Sequence, residues 1–269
     1  MRYIIDHDFH IHSHLSTCSE DPEQTPSAIL EYAKENKLNR ICLTDHYWDS
    51  AVGGASAWYA PQNFEHISAS LPLPRDPSVD FLFGCETDMD KSMRIGIPIE
   101  RFDDFNFVII PTTHMHMGGF TIEREDKGNT ERCAALWCER LEHLFSMPLP
   151  FEKIGIAHLA TKLINPTARQ ERSRTLDLIE QEKLEKLFAT AAQLGCGIEI
   201  NSDDMAFSDA EADSILRIFK TAKHQGCKFY LGSDAHDRAA LKNAKAIFER
   251  AVDLLCLEES DKYQLAYKK

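Results

Sequence analysis

The chain has 269 residues, 43% of them hydrophobic, and a formal net charge of −13. That length allows one large domain or two small ones, and single-domain α/β barrels commonly reach it, so one domain over residues 1–269 is expected. The acidic balance argues against a general binder of long nucleic acid or of an anionic membrane, though bound cations would still let it take an anionic substrate.

No apolar run reaches the roughly 18 residues of a membrane helix. The start, "MRYIIDHDFH", lacks the apolar core of a signal peptide. The eight cysteines (Cys18, Cys42, Cys85, Cys133, Cys138, Cys196, Cys227 and Cys256) form no C-x-x-C pair and read mostly as core thiols of a reducing compartment. The expected location is therefore the cytoplasm.

From the N-terminus, "RYII" runs as a strand into "DFHIHSHLS". On a strand His10 and His12 share a face, and Phe9 and Ile11 point away from it. Two adjacent neutral imidazoles suit a divalent metal. His14 has the same parity but lies past the strand, where the chain is expected to have turned. "TPSAILEYAKEN" reads as a helix capped by Thr25 with Pro26 in its first turn. Strand-like runs then end at "RICLTDH", "DFLFGCET", "FNFVIIPTTH", "KIGIAHLA", "CGIEINS" and "KFYLGSDAH". Helices with i, i+3, i+4 apolar spacing separate the later ones, and Gly195 and Gly226 stand just past two helix ends. A helix over "DRAALKNAKAIFERAVDLL" follows the last strand.

Strands alternating with helices imply parallel βα units. The pattern predicts an α/β fold, a distorted (β/α)7 barrel, with a doubly wound sheet as the alternative. Successive strands end in metal-competent side chains: His10 and His12, Asp45-His46, Glu86, His114, His158, Glu199 with Asn201, and Asp234 with His236. Barrel enzymes keep their chemistry at this C-terminal end of the strands, so the metal site is expected there.

These residues resemble the PHP (polymerase and histidinol phosphatase) superfamily of metal-dependent phosphoesterases. The matching motifs are H-x-H-S followed by Ser in "HIHSHLS", T-D-H at Thr44–His46, G-x-E at Gly84–Glu86 and "GSDAH" at Gly232–His236. The resemblance implies a distorted seven-stranded barrel holding two or three divalent ions, Zn, Mn or Fe. It implies a first metal on His10, His12, Glu86 and Asp234, and a second on Glu86, His114 and His158. A third would use His46, His236 and a residue after the H-x-H. The family's residue there falls on Cys18, with Glu20 or Asp21 as alternatives. "TTHMHM" offers His116 as well as His114, and His114 is preferred as nearer the strand.

Clustered cations suit in-line attack on phosphorus, with a metal-bridging hydroxide as nucleophile. His236 or Asp234 is expected to assist the leaving group catalytically. Arg169, Arg172 and Arg174 follow the His158 strand and could grip phosphate; Arg124, after two glycines, could belong to a lid. Tyr47, Trp48, Trp58 and Tyr59 form either a pocket wall or loop packing. The expected activity is hydrolysis of a small phosphate monoester, histidinol phosphate among the possibilities. The alternatives are a phosphodiesterase acting on short nucleotides, an amidohydrolase-type C–N hydrolase and a non-catalytic metal-binding domain.

Overall fold

The computed structural model describes residues 1–166 and 169–265, except the side chains of residues 169 and 170. Three parallel strands, β1 (His7–Ile11), β2 (Arg40–Leu43) and β3 (Asp80–Phe83), pair in that order. A second parallel set, β4 (Cys85–Glu86), β5 (Val108–Pro111), β6 (Ile154–Ala157), β7 (Gly197–Asn201) and β8 (Lys228–Gly232), pairs consecutively.

The two sets form one barrel. Only Gly84 separates β3 from β4, and its N–H still donates to the Leu43 carbonyl at 2.8 Å. A side chain at Gly84 would collide with the Phe107 carbonyl, so the residue that breaks this stave has to lack one. Across the break His46 bridges Glu86 in parallel. At the other edge β8 closes onto β1: Asp234 N–H donates to the His10 carbonyl at 2.7 Å and His12 N–H to the Ala235 carbonyl at 3.1 Å. With β3 and β4 as one broken stave, the architecture is a distorted (β/α)7 barrel.

Phe9, Cys42, Leu82, Phe107, Ile109, Ala157 and Tyr230 fill its interior, with Tyr263 and Leu265 of the C-terminal segment. The Tyr263 N–H donates to the Phe229 carbonyl, which sets that segment against the N-terminal end of β8. Ile11, Ile41, Leu43 and Ile110 face the outer core with the helices. Phe9 therefore departs from the expected parity. The β1–β2 register is irregular between Asp8 and Ile11, which turns Phe9 inward while His10 and His12 still reach the mouth.

The helices begin and end as their residues dictate. In α1 (Pro26–Asn36) the Thr25 hydroxyl accepts from Ala28 N–H, and α2 (Phe64–Ile67) is a single turn in the long loop after β2. In α3 (Thr130–Ser146) Asn129 caps Arg132 N–H. Gly195, left-handed at φ 79°, ends α5 (Gln181–Leu194), and Gly226 follows α6 (Ala212–His224) at φ 86°. Asp237 caps α7 (Arg238–Leu254).

The arginine-rich stretch that follows the His158 strand carries the helix α4 (Arg169–Asp177), anchored by buried Leu176. Its near absence of apolar residues gave no helical period to read. All eight cysteines are free, and only Cys18 and Cys256 are exposed. Among the described residues no helix is long and apolar enough to cross a membrane.

Candidate metal centre

The C-terminal ends of the strands converge on Glu86, which is fully buried. Its Oε2 lies 3.4 Å from His10 Nε2, 3.2 Å from His12 Nε2 and 3.0 Å from His46 Nδ1, and its Oε1 lies 3.3 Å from His158 Nε2. Yet neither oxygen has a hydrogen-bond partner among the described residues. A buried carboxylate left bare among imidazoles fits a position filled by cations, because such an ion is otherwise poorly compensated. Asp234 Oδ1 closes the first cluster, 3.3 Å from His10 Nε2 and 3.1 Å from His12 Nε2.

Potential ligand atoms lie within 4.8 Å of one another in four groups: His10, His12, Glu86 and Asp234; Glu86, His114 and His158; His12, His46 and His236; and His10, His158 and Glu199. The first three correspond closely to the expected metal positions. Cys18 belongs to none of them. It is an exposed lining residue of the mouth. The group that holds His46 and His236 has His12 as its third member. Of the pair that follows β5, His114 enters a cluster, while His116 meets it edge-on at 5.4 Å.

A surrounding set of carboxylates orients the imidazoles. Glu199 Oε1 lies 2.6 Å from His10 Nδ1, and its Oε2 accepts from the His158 N–H at 3.2 Å. Gly232 makes room for this pair, since a Cβ there would strike the Glu199 carboxylate. Asp88 accepts from the Tyr59 hydroxyl at 2.6 Å and lies 3.1 Å from His114 Nδ1. Sequence reading missed Asp88, although it stands two residues after Glu86 and so shares its face.

Asp45 points away from the cluster. It accepts from Ser13 N–H at 2.7 Å and from the Ser16 hydroxyl at 2.8 Å, while Ser16 Oγ lies 2.9 Å from His12 Nδ1. The residue therefore fixes the loop that carries the H-x-H. Asp204 is buried, with no side-chain hydrogen bond found among the described residues; burial pushes its carboxyl up to about 8, against the pull of His158 and the Ala160 backbone.

The charge balance of the site is unusual. Burial pushes Glu86 and Asp234 up, but the surrounding imidazoles outweigh it and hold both carboxyls well below the usual range. Burial likewise disfavours charge on His158, yet Asp234, Glu86 and Glu199 raise it to about 10. The carboxylates thus call for positive charge at the centre, as bound cations would supply. His158 at φ 61° and Asp234 at φ 54° both sit in the left-handed region just after their strands, a strained conformation for residues other than glycine.

A cavity of ≈ 510 Å³ opens above the cluster, lined by Cys18, His46, Trp58, Tyr59, Glu86, His114, His116, Met117, His158, Leu163, Asp234 and His236. Trp58 and Tyr59 are wall residues, while Tyr47 and Trp48 are buried behind them as loop packing.

The described arginines do not reach this cavity, contrary to expectation. Arg172 is buried and pairs with Glu211 at 3.0 Å; it lines a neighbouring cavity with Lys162 and Asn165. Arg174 is exposed beside Glu131 and Glu171 at 3.9 and 3.7 Å. Arg124 is exposed against Gly119. The side chain of Arg169 lies outside the described residues. For Arg172 and Arg174 helix formation by α4 explains the outcome, because it places them on a helix surface rather than on a loop over the mouth.

Fold and site together define a (β/α)7 barrel with a candidate multinuclear metal centre at its mouth. The chain belongs to the PHP domain family, whose pattern matches residues 8–203. The fold is similar to that of histidinol phosphate phosphatase from Lactococcus lactis subsp. lactis, solved with zinc, L-histidinol and phosphate. The TM-score is 0.57 at 20% identity, over 91% of this chain and 93% of that one. A probable 2-pyrone-4,6-dicarboxylic acid hydrolase from Acinetobacter baumannii, solved with citric acid, has a TM-score of 0.42 and 11% identity over 96% of this chain and 97% of that one. No curated protein sequence matches the chain.

Proposed function

We propose that this protein is a metal-dependent phosphoesterase that hydrolyses a small phosphate monoester. The observation that carries the reading is the bare, buried carboxylate of Glu86 among His10, His12, His46 and His158. His10, His12, Glu86 and Asp234 would hold one divalent ion, and Glu86, His114 and His158 a second. His46 and His236, with His12 in reach, offer a third place. Zn, Mn and Fe all accept such ligands. Bound there, the ions would polarise a phosphoryl oxygen and generate a hydroxide nucleophile near neutral pH.

The chain's own groups then hold and orient. Glu199 and Asp88 fix the rings of His10 and His114 by their Nδ1 atoms. His236 Nδ1 lies 2.8 Å from the Asp234 carbonyl, so its proton sits on that nitrogen and Nε2 keeps a lone pair. Asp234 stays ionised. Neither group holds a proton to give to a leaving alkoxide. We therefore assign both to ligation and leave that proton to solvent. Among the described residues no Lys or Arg lines the cavity, so the phosphate charge falls to the cations.

The test is phosphate release by metal-replete protein from sugar phosphates, amino-alcohol phosphates including histidinol phosphate, and nucleotides. Release that chelation abolishes and added metal restores is the expected result. Cleavage of phosphodiesters or amides, with no release from any monoester, would overturn the reading.

A further inference from the structure

We propose that the substrate's leaving group is an uncharged aromatic ring seated against Trp58; this rests on the phosphomonoesterase reading. The cavity has two unlike halves. Its floor is the imidazole and carboxylate cluster, and its wall is Trp58, Tyr59, Met117 and Leu163. At ≈ 510 Å³ it has the size of pockets that enclose a whole small ligand, more than a phosphate group alone needs.

The wall is rigid. Trp58 meets Tyr59 edge-on at 4.7 Å and His46 at 4.9 Å. Tyr59 is pinned by its hydrogen bond to Asp88 and backed by Trp48 at 5.7 Å and Phe120 at 5.4 Å. Tyr59 is fully buried by this packing, but Trp58 stays partly uncovered at the cavity. A ring already held in place loses little freedom on binding another.

Charge selects further. Among the described residues the acidic groups lining the cavity are Glu86 and Asp234, both assigned to cations, and its basic side chains are imidazoles, with no Lys or Arg among them. An ammonium on the leaving group would lose its water with no free carboxylate to replace it, and a second anion would meet no Lys or Arg. A neutral ring meets no such penalty and gains offset or edge-to-face contact with the indole.

Benzyl, ethyl and 2-aminoethyl phosphate all release an alcohol oxygen, so their relative kcat/KM on metal-replete protein reports the wall rather than the chemistry. Benzylphosphonate and ethylphosphonate, which do not hydrolyse, report binding alone by calorimetry. The expected result is a preference for the benzyl over the ethyl ester of about tenfold or more, the scale on which apolar pockets discriminate. The 2-aminoethyl ester should be the poorest. Trp58→Ala should bring the benzyl-to-ethyl ratio towards one, and Trp58→Phe should retain most of it. Equal rates for all three esters, or a ratio untouched in Trp58→Ala, would overturn the inference. If no ester is hydrolysed, the phosphomonoesterase reading fails, and the phosphonates still decide: a benzyl preference lost in Trp58→Ala upholds the aromatic subsite, and equal affinities remove it.

Discussion

Glu86 is a buried carboxylate with no hydrogen-bond partner among the described residues, set between imidazoles on three sides of the barrel mouth. Glu86→Gln keeps its shape and removes its charge. We expect the variant to lose bound metal by elemental analysis and activity by more than about 100-fold, beyond the range seen for groups that only orient ligands. Cys18→Ser, outside every cluster, should change either quantity little. Comparable losses in both would contradict the assignment.

Asp88→Asn keeps an acceptor for Tyr59 but weakens the hold on His114. Metal affinity should fall about 10–100-fold, as for other carboxylates that support a ligating imidazole. Competition with a chelator of known affinity measures it.

Asp204 gives a pH prediction. Its carboxyl is raised on folding to about 8, chiefly by burial, so between the ordinary carboxylate range and that value the folded chain keeps a proton the unfolded chain has lost. Its contribution to stability therefore declines as pH rises through that window. Urea unfolding of Asp204→Asn should show the variant gaining on the parent protein between pH 5 and pH 8. A difference independent of pH would refute this.

At the scale of elements, the site depends on loops held to the helices behind them. Arg140 of α3 is fully buried and donates to the carbonyls of Met89, Thr112 and Thr121, each at 2.6 Å. Those carbonyls flank the segments that carry Glu86, Asp88 and His114. The Thr121 hydroxyl adds a bond to the His114 carbonyl. Burial lowers the Arg140 pKa to about 10, with Asp88 and Asp90 opposing, so the guanidinium stays charged at neutral pH. Arg140→Met orphans three buried carbonyls and should destabilise the fold by about 3 kcal/mol or more. Thermal unfolding would register this as a fall of several degrees. An unchanged midpoint would mean that water satisfies those carbonyls.

Elements also separate what pattern reveals from what it hides. The runs ending at His10, His46, Glu86, His114, His158 and Asp234 were readable because barrel strands are short, apolar and bounded by polar turns. The inward turn of Phe9 was not, because the irregularity in β1 answers to its pairing with β2. The helix over "RQERSRTLD" was hidden for a different reason: it has one buried apolar anchor and no amphipathic period.

Across the whole molecule, the candidate metal site gathers residues from the C-terminal ends of β1, β2, β4, β5, β6 and β8, so cations there would bind the folded barrel and not the unfolded chain. At a free concentration near 1,000 times Kd such binding is worth about 4 kcal/mol. Chelation should then lower the unfolding midpoint by on the order of 10 °C, given about 2–4 °C per kcal/mol for large domains. Readded Zn or Mn should restore it. An unmoved midpoint on chelation would count against a resident metal.

The sequence by itself determined which side chains could ligate metal and the parallel βα order that would present them, because both are written in local residue types and their spacing. It marked Gly84 and Gly232 only as parts of motifs, and the tertiary structure supplied the reasons: a neighbouring carbonyl for one, the Glu199 carboxylate for the other. Only the folded chain decided that Asp45 braces a loop, that Asp88 and Glu199 orient imidazoles, and that Arg172 pairs with Glu211 instead of facing the cavity. The physical reason is common to these cases. Each depends on which distant segment arrives opposite the residue, and with separations such as the 189 positions between His10 and Glu199, no local pattern encodes that meeting.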